Sequence, residues 1–135
     1  MKILIDTNVI LDVLCKKEDF YENSLKIWKY CEIGKLEGYI SALYVPNIVY
    51  ILRKELTPEK TQQIINQIFL IFKVADLKAD DLKKTANMPS PDYEDNLQMV
   101  CAARIKADFI VTRNIKDFAL SKVIAIKPAE LLDRI

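Results

Sequence analysis

The side chains here whose types and spacing suit chemistry are carboxylates with amide and hydroxyl neighbours. Asp6 stands in Asp6-Thr7-Asn8, directly after a short apolar run. Asp92 and Asp95 stand in Ser90-Pro91-Asp92-Tyr93-Glu94-Asp95, and Thr112, Asn114 and Asp117 follow the apolar run 109–111. If these segments meet, their acids crowd one small volume, and like charges so close repel unless a cation neutralises them. Hard oxygen donors favour Mg²⁺ or Mn²⁺ over zinc. One or two such ions activate water and stabilise charge on a phosphate under attack. The chain has no histidine, which excludes Ser-His and Cys-His nucleophile pairs and every histidine-based metal site.

Every one of these residues also has an ordinary structural role open to it. Asp6 can cap the helix that follows it. Asp92 can cap the late helix, with Asp95 in the first turn where the helix dipole favours an acid. Thr112, Asn114 and Asp117 belong to types that bond to nearby backbone in turns. Arg53-Lys54 sits near a predicted helix end, where cations meet the dipole favourably, and also has the charge to meet a nucleic-acid phosphate. What favours a shared site is joint occurrence, since separate segments each bring an acid to the same kind of place.

The elements that would position these groups follow from periodicity. A strand over residues 2–5 leads into a helix with Val9, Ile10, Val13 and Leu14 at helical spacing. A second helix over 21–33 ends near Gly34, and a strand follows over 38–42. From Tyr44 the positions Val45, Ile48, Val49 and Leu52 trace another helix that breaks before Pro58. Thr57 then caps a helix carrying Ile64, Ile65, Ile68, Phe69 and Phe72, with Pro58 at its first position. A brief strand at 72–75, a short helix at 79–87 and a helix with the stripe Leu97, Val100, Cys101 and Ile105 come next. Strands over 109–111 and 123–126 and a helix starting at Pro128 complete the chain. Alternating strands and helices imply α/β architecture: an open, mainly parallel sheet with helices on both faces. In such sheets ligands bind beyond the carboxyl ends of the strands, where strand order reverses. Asp6 and Asp117 share that place if the first and fourth strands are neighbours.

The bulk properties are those of one globular domain over residues 1–135. The sequence is 51% hydrophobic and 29% charged, with 2 Gly and 5 Pro and no linker-like stretch. Its net charge of +1 excludes a generally basic nucleic-acid coat and confines any such contact to a local patch. Cys15, Cys31 and Cys101 lie among apolar neighbours and lack zinc-site spacing, so they are expected to be reduced core residues, as are Trp28 and the helical phenylalanines. No apolar run approaches the roughly 20 residues that cross a bilayer, and no signal-peptide pattern opens the chain. A cytoplasmic protein is expected.

The pieces ILIDTNVILDVL, ISALYVPNIVYILRK, DYEDNLQMVCAARIKADFIVTRN and IKDF together resemble the PIN-domain family across nearly the whole length. The resemblance implies a three-layer α/β/α domain with a central, mainly parallel sheet. It also implies Mg²⁺- or Mn²⁺-dependent cleavage of single-stranded RNA, in the manner of small VapC-like members that act as toxins of toxin-antitoxin pairs, restrained by an antitoxin protein and dimeric. Carried over by motif, Asp6, Asp95 and Asp117 match the catalytic, metal-holding positions, with Asp92 beside them. Asn8, Thr112 and Asn114 match polar supports, and Arg53 is a candidate substrate contact. In one place the chain departs from the pattern. Many members carry Glu on the helix after the second strand where this chain has Asn47, which offers a neutral oxygen but one negative charge fewer. That departure motivates an alternative, a non-cleaving RNA- or protein-binding module with a weakened metal site. A phosphatase using Asp6 as nucleophile would need a second acid two residues on, where Asn8 stands.

Overall fold

The structure is a computed structural model that describes residues 1–89 and 91–135; Ser90, expected to help open the late helix, lies outside the described residues. Five strands form one wholly parallel sheet: β1 (Lys2–Ile5), β2 (Glu37–Ser41), β3 (Lys73–Ala75), β4 (Phe109–Val111) and β5 (Ile124–Ile126), in the order β3-β2-β1-β4-β5. The chain steps outward from β1 in one direction and then returns to β1's other side with β4. That reversal makes the junction of β1 and β4 the topological switch point. The two strands pair in register, with Ile3 beside Phe109 and Ile5 beside Val111.

Successive strand residues point to opposite faces, and the core divides accordingly. Ile3, Ile5, Ile40, Val111 and Ile126 face the layer built by α1 (Thr7–Leu14), α2 (Tyr21–Glu32), α3 (Val45–Arg53), α4 (Pro58–Ile71) and α7 (Pro128–Leu132). Leu4 and Ile110 face the other way, against Met99, Cys101 and Ala102 of α6 (Tyr93–Arg104). Ahead of α6 in sequence, α5 (Ala79–Ala86) is tied to it by Arg104, whose guanidinium pairs with Asp81 and Asp76. Three α/β/α layers result, as expected.

Local chemistry sets the boundaries. Gly34 takes φ +80 after α2, a left-handed conformation that suits glycine at a helix end. Thr57 Oγ1 accepts from the Lys60 N–H at 3.2 Å, and Pro58 follows at the first helical position. Gly38 is where α2 and the sheet approach closely. A Cβ there would lie 2.7 Å from Cys31 Sγ and 2.9 Å from Phe72 Cδ1.

Two expectations need correction. Cys15 is exposed, because α1 stops at Leu14 and the chain turns out to solvent; only Cys31 and Cys101 are buried. Phe69 is 45% exposed, one position past the buried Ile68, so the stripe of α4 is narrower than the run of apolar residues suggests. Phe20, just before α2, is 41% exposed. Trp28 packs edge-on against Phe72 with ring centroids 4.9 Å apart, which agrees with a core role. Among the described residues no helix is long and apolar enough to cross a membrane.

Candidate active site

Asp6 follows β1 at the switch point, and its backbone N–H continues the ladder by donating to the Val111 carbonyl at 2.9 Å. It occupies the residue before α1, yet its side chain does not cap that helix. Instead Oδ2 accepts from the Thr112 hydroxyl at 2.8 Å and Oδ1 accepts from the Gln98 side-chain amide at 3.2 Å. Thr112 is fully buried, and its Oγ1 also accepts from the Asn114 N–H at 3.1 Å. With its acceptor side taken, the hydroxyl proton is directed at Asp6. The carboxylate is 8% exposed, held by two donors that fix its orientation.

The other acids meet at the start of α6. Asp92 accepts from the Asp95 N–H at 3.0 Å and so caps the helix as the local sequence anticipates. Asp95, in the first turn, is half-buried. Burial pushes its carboxyl up to about 7, helped by the charges of Asp92 and Asp117, a side-chain hydrogen bond with Asp92 and the charge of Asp6. Asp117 lies exposed on the 3₁₀ turn Ile115–Phe118, placed by its N–H donating to the Asn114 carbonyl at 3.1 Å. Four acids from three separate segments therefore act on one another at the switch point. Burial is the largest cause of the rise at Asp95, and the neighbouring acids add to it because ionising Asp95 adds a further charge to that group.

Two participants escape the reading of the sequence. Gln98 is buried, and besides Asp6 its amide reaches the Tyr44 hydroxyl at 3.5 Å. Tyr44 has its hydroxyl pushed well up by burial and then by the charges of Asp6, Glu94 and Asp95, which places Glu94 with the acids as well. For Gln98 the signal was helical spacing: Glu94 and Asp95 lie four and three residues before it and share its face. For Tyr44 no local pattern gives notice, since its place depends on how α3 meets α6.

The remaining candidates stand further out. Asn8 is half-buried in the first turn of α1, and Asn47 is exposed in the first turn of α3. Arg53 ends α3, six residues or about 9 Å of helix rise beyond Asn47. It lines a hollow between α3 and α4 with Val49 and Pro58, apart from the groups that meet Asp6.

Hard carboxylate oxygens suit Mg²⁺ or Mn²⁺, and the charges of Asp92, Asp117 and Asp6 all act on Asp95. Among the described residues no three acidic or cysteine side chains already stand together as a ligand set. Mg²⁺ commonly binds through one or two carboxylates while keeping several waters, so the donors present fit a partly hydrated ion.

An α/β/α sandwich with an acid cluster at the β1/β4 switch point is the class these observations define. Residues 2–116 match the family model described as PIN domain, and the chain belongs to that family. None of the curated protein sequences matches it. Similar solved structures include VapBC2 from Rickettsia felis bound to a DNA fragment from its promoter, at 20% identity and TM-score 0.65 over 94% of this chain and 98% of that one. DNA-bound VapBC from Salmonella typhimurium is 17% identical with TM-score 0.67, over 95% and 98% of the two chains. PAE2754 from Pyrobaculum aerophilum is 21% identical with TM-score 0.64, over 99% and 94%. At these identities the likeness is one of fold.

The hydrogen bonds to Asp6 make a specific prediction. Thr112→Val and Gln98→Leu each remove one donor and leave the carboxylate in place. Each is expected to lower divalent-metal affinity by about 10- to 100-fold, the usual cost of losing a partner that orients a ligand. Calorimetric titration with Mn²⁺ measures it, and unchanged affinity in both variants would separate these bonds from metal binding.

Proposed function

We propose that this chain is a metal-dependent endoribonuclease that cleaves single-stranded RNA, working as a single PIN domain over residues 1–135. The observation that carries the reading is the convergence of Asp6, Asp92, Asp95 and Asp117 at the β1/β4 switch point, where the charges of Asp92, Asp117 and Asp6 add to burial in raising the Asp95 carboxyl. Asp6, Asp95 and Asp117 hold the ion, with Asp92 positioning Asp95. A bound Mg²⁺ or Mn²⁺ supplies neutralisation of these carboxylates and Lewis-acid stabilisation of an attacked phosphate. Thr112 and Gln98 hold Asp6 in one orientation, and Asn114 and Asn8 flank it. Similarity in fold to the VapBC structures supports a toxin role with an antitoxin protein as partner; a homodimer is the working state we propose.

Asn47 favours a second reading, a module that binds RNA or protein without cutting. Glu94 weighs against it, because its carboxylate joins Asp95 near Tyr44 and returns the charge that Asn47 lacks. One assay separates the two. Purified protein is incubated with unstructured and structured RNA in Mg²⁺, Mn²⁺ or EDTA. Cleavage of the unstructured RNA in either metal and none in EDTA is expected; binding without cleavage in both metals would establish the second reading instead.

A further inference from the structure

On the α2 and α7 side of the residues that follow β4 lies a hollow of about 260 Å³ that the acid cluster does not use. Arg113 stands in its wall, one residue from the Thr112 hydroxyl that meets Asp6. Its Nε lies 3.1 Å from Oδ2 of Asp12, at an angle outside hydrogen-bond geometry, and its guanidinium stacks on the Phe20 ring at 4.2 Å. Asp12 is 0% exposed; its Oδ2 also accepts from the Ser24 hydroxyl at 3.3 Å, while Oδ1 is buried without a partner. Held from behind by Asp12 and on one face by Phe20, the guanidinium is fixed in orientation, with the side chain still 27% exposed.

Lys127 enters the same hollow from the segment before α7, and Asn23 contributes an amide. Asp19 also lines it and is solvent-exposed. Burial pushes the Asp12 carboxyl up, against the lowering effect of Arg113 and of the Ser24 hydroxyl. A role confined to pairing Asp12 would need only the Nε edge. It would not call for a second cation from another element or for an exposed aromatic under the fork.

We propose that this hollow binds a backbone phosphate of the RNA strand, next to the one under attack at the acid cluster. Arg113 presents the outer edge of its fork to the phosphate oxygens, geometry that a planar guanidinium matches with two parallel bonds. Lys127 adds a point charge. The volume equals that of about nine liquid waters, at roughly 30 Å³ each, which accommodates a phosphodiester with part of its sugar. This inference rests on the ribonuclease reading above and gives it a direction: the strand crosses from the acid cluster over Arg113 toward α7.

Fluorescence anisotropy with a short single-stranded oligouridine in EDTA, over a series of salt concentrations, tests it. Lys127→Gln is expected to weaken binding several-fold at low salt and to make the slope of log affinity against log salt shallower by about 0.7, the value of one phosphate contact on a single strand. Arg113→Lys keeps a cation beside Asp12 but loses the fork, and is expected to bind several-fold more weakly with the slope nearly retained. Lys83→Gln on α5, in the opposite helical layer, removes the same charge and should leave the slope unchanged. Wild-type affinity and slope in Lys127→Gln would overturn the subsite while leaving the ribonuclease reading intact, and this exposed variant stays informative if Arg113→Lys fails to fold. Absence of oligouridine binding by the wild type would overturn both.

Discussion

Replacing Asp6 by Asn is expected to reduce metal-dependent RNA cleavage by at least about 100-fold, with the fold intact. Losing a residue that merely orients a metal ligand costs up to about 100-fold, and Asp6 is the proposed ligand itself, so that figure is a floor. The side chain is almost fully buried and accepts from Thr112 and Gln98. Asn preserves its shape but removes the charge and turns an NH₂ toward one of those donors. Asp95→Asn removes a charge from the same cluster and is expected to cost as much. Asp92→Asn is the informative contrast. Asn caps helices about as well as Asp, and the bond to the Asp95 N–H needs only an oxygen. Its cleavage rate should fall by less than about tenfold, an estimate that follows from leaving Asp6 and Asp95 in place. Initial rates on one unstructured RNA, with circular dichroism to confirm folding, measure all three. Near-wild-type cleavage by Asp6→Asn would remove it from the site.

How far the site was legible in the sequence depended on whether each role is local. Strand β1 and helix α1 could be read because a short apolar run precedes Asp6 and helical spacing begins at Val9. Asp92 as a cap was equally plain, since its spacing from Asp95 is the cap's own geometry. For Asp6 the local rule offered the wrong partner: it sits where a capping residue sits, but Thr112 and Gln98, both distant in sequence, draw its oxygens away from the α1 amides. Only the pairing of β1 with β4 and the packing of α6 on Leu4 and Ile110 bring those donors near.

The same reasoning explains Gln98 and the exposed side chains. Helical spacing puts Gln98 on the face of Glu94 and Asp95, but its burial is set by α6 lying across the switch point. Cys15 and Phe69 look like core residues by type, yet Cys15 lies past the end of α1 and Phe69 just beyond the buried arc of α4. Arg113 was passed over because the neighbours that give it meaning, Asp12, Phe20 and Lys127, come from α1, the α1–α2 connection and the segment before α7.

Stability against pH gives a reading of the acid cluster that does not depend on substrate. The Asp95 carboxyl is raised from the ordinary 3.8 to about 7 in the folded chain, by burial first and by Asp92 and Asp117 next. Unfolding returns it to about 3.9. Between those values the folded state binds more protons than the unfolded one, so stability falls as pH rises from about 4 through 7, and the loss is complete above that. Because Asp95 is only half-buried, water screens part of this, and a change of a few degrees in Tm is the expected scale. Asp95→Asn should match the wild type near pH 4, lose less stability as pH rises, and melt higher at pH 8 without metal. Adding Mg²⁺ or Mn²⁺ at about 100 times its dissociation constant should then stabilise the wild type by about 2.7 kcal/mol, or about 5–10 °C. Asp95→Asn should respond far less, so that the order of the two proteins reverses, and chelation should restore the original order. Differential scanning fluorimetry across pH, with and without metal, follows the whole cycle. Parallel melting curves for the two proteins under all conditions would mean that Asp95 neither bears the cluster's excess charge nor meets the ion.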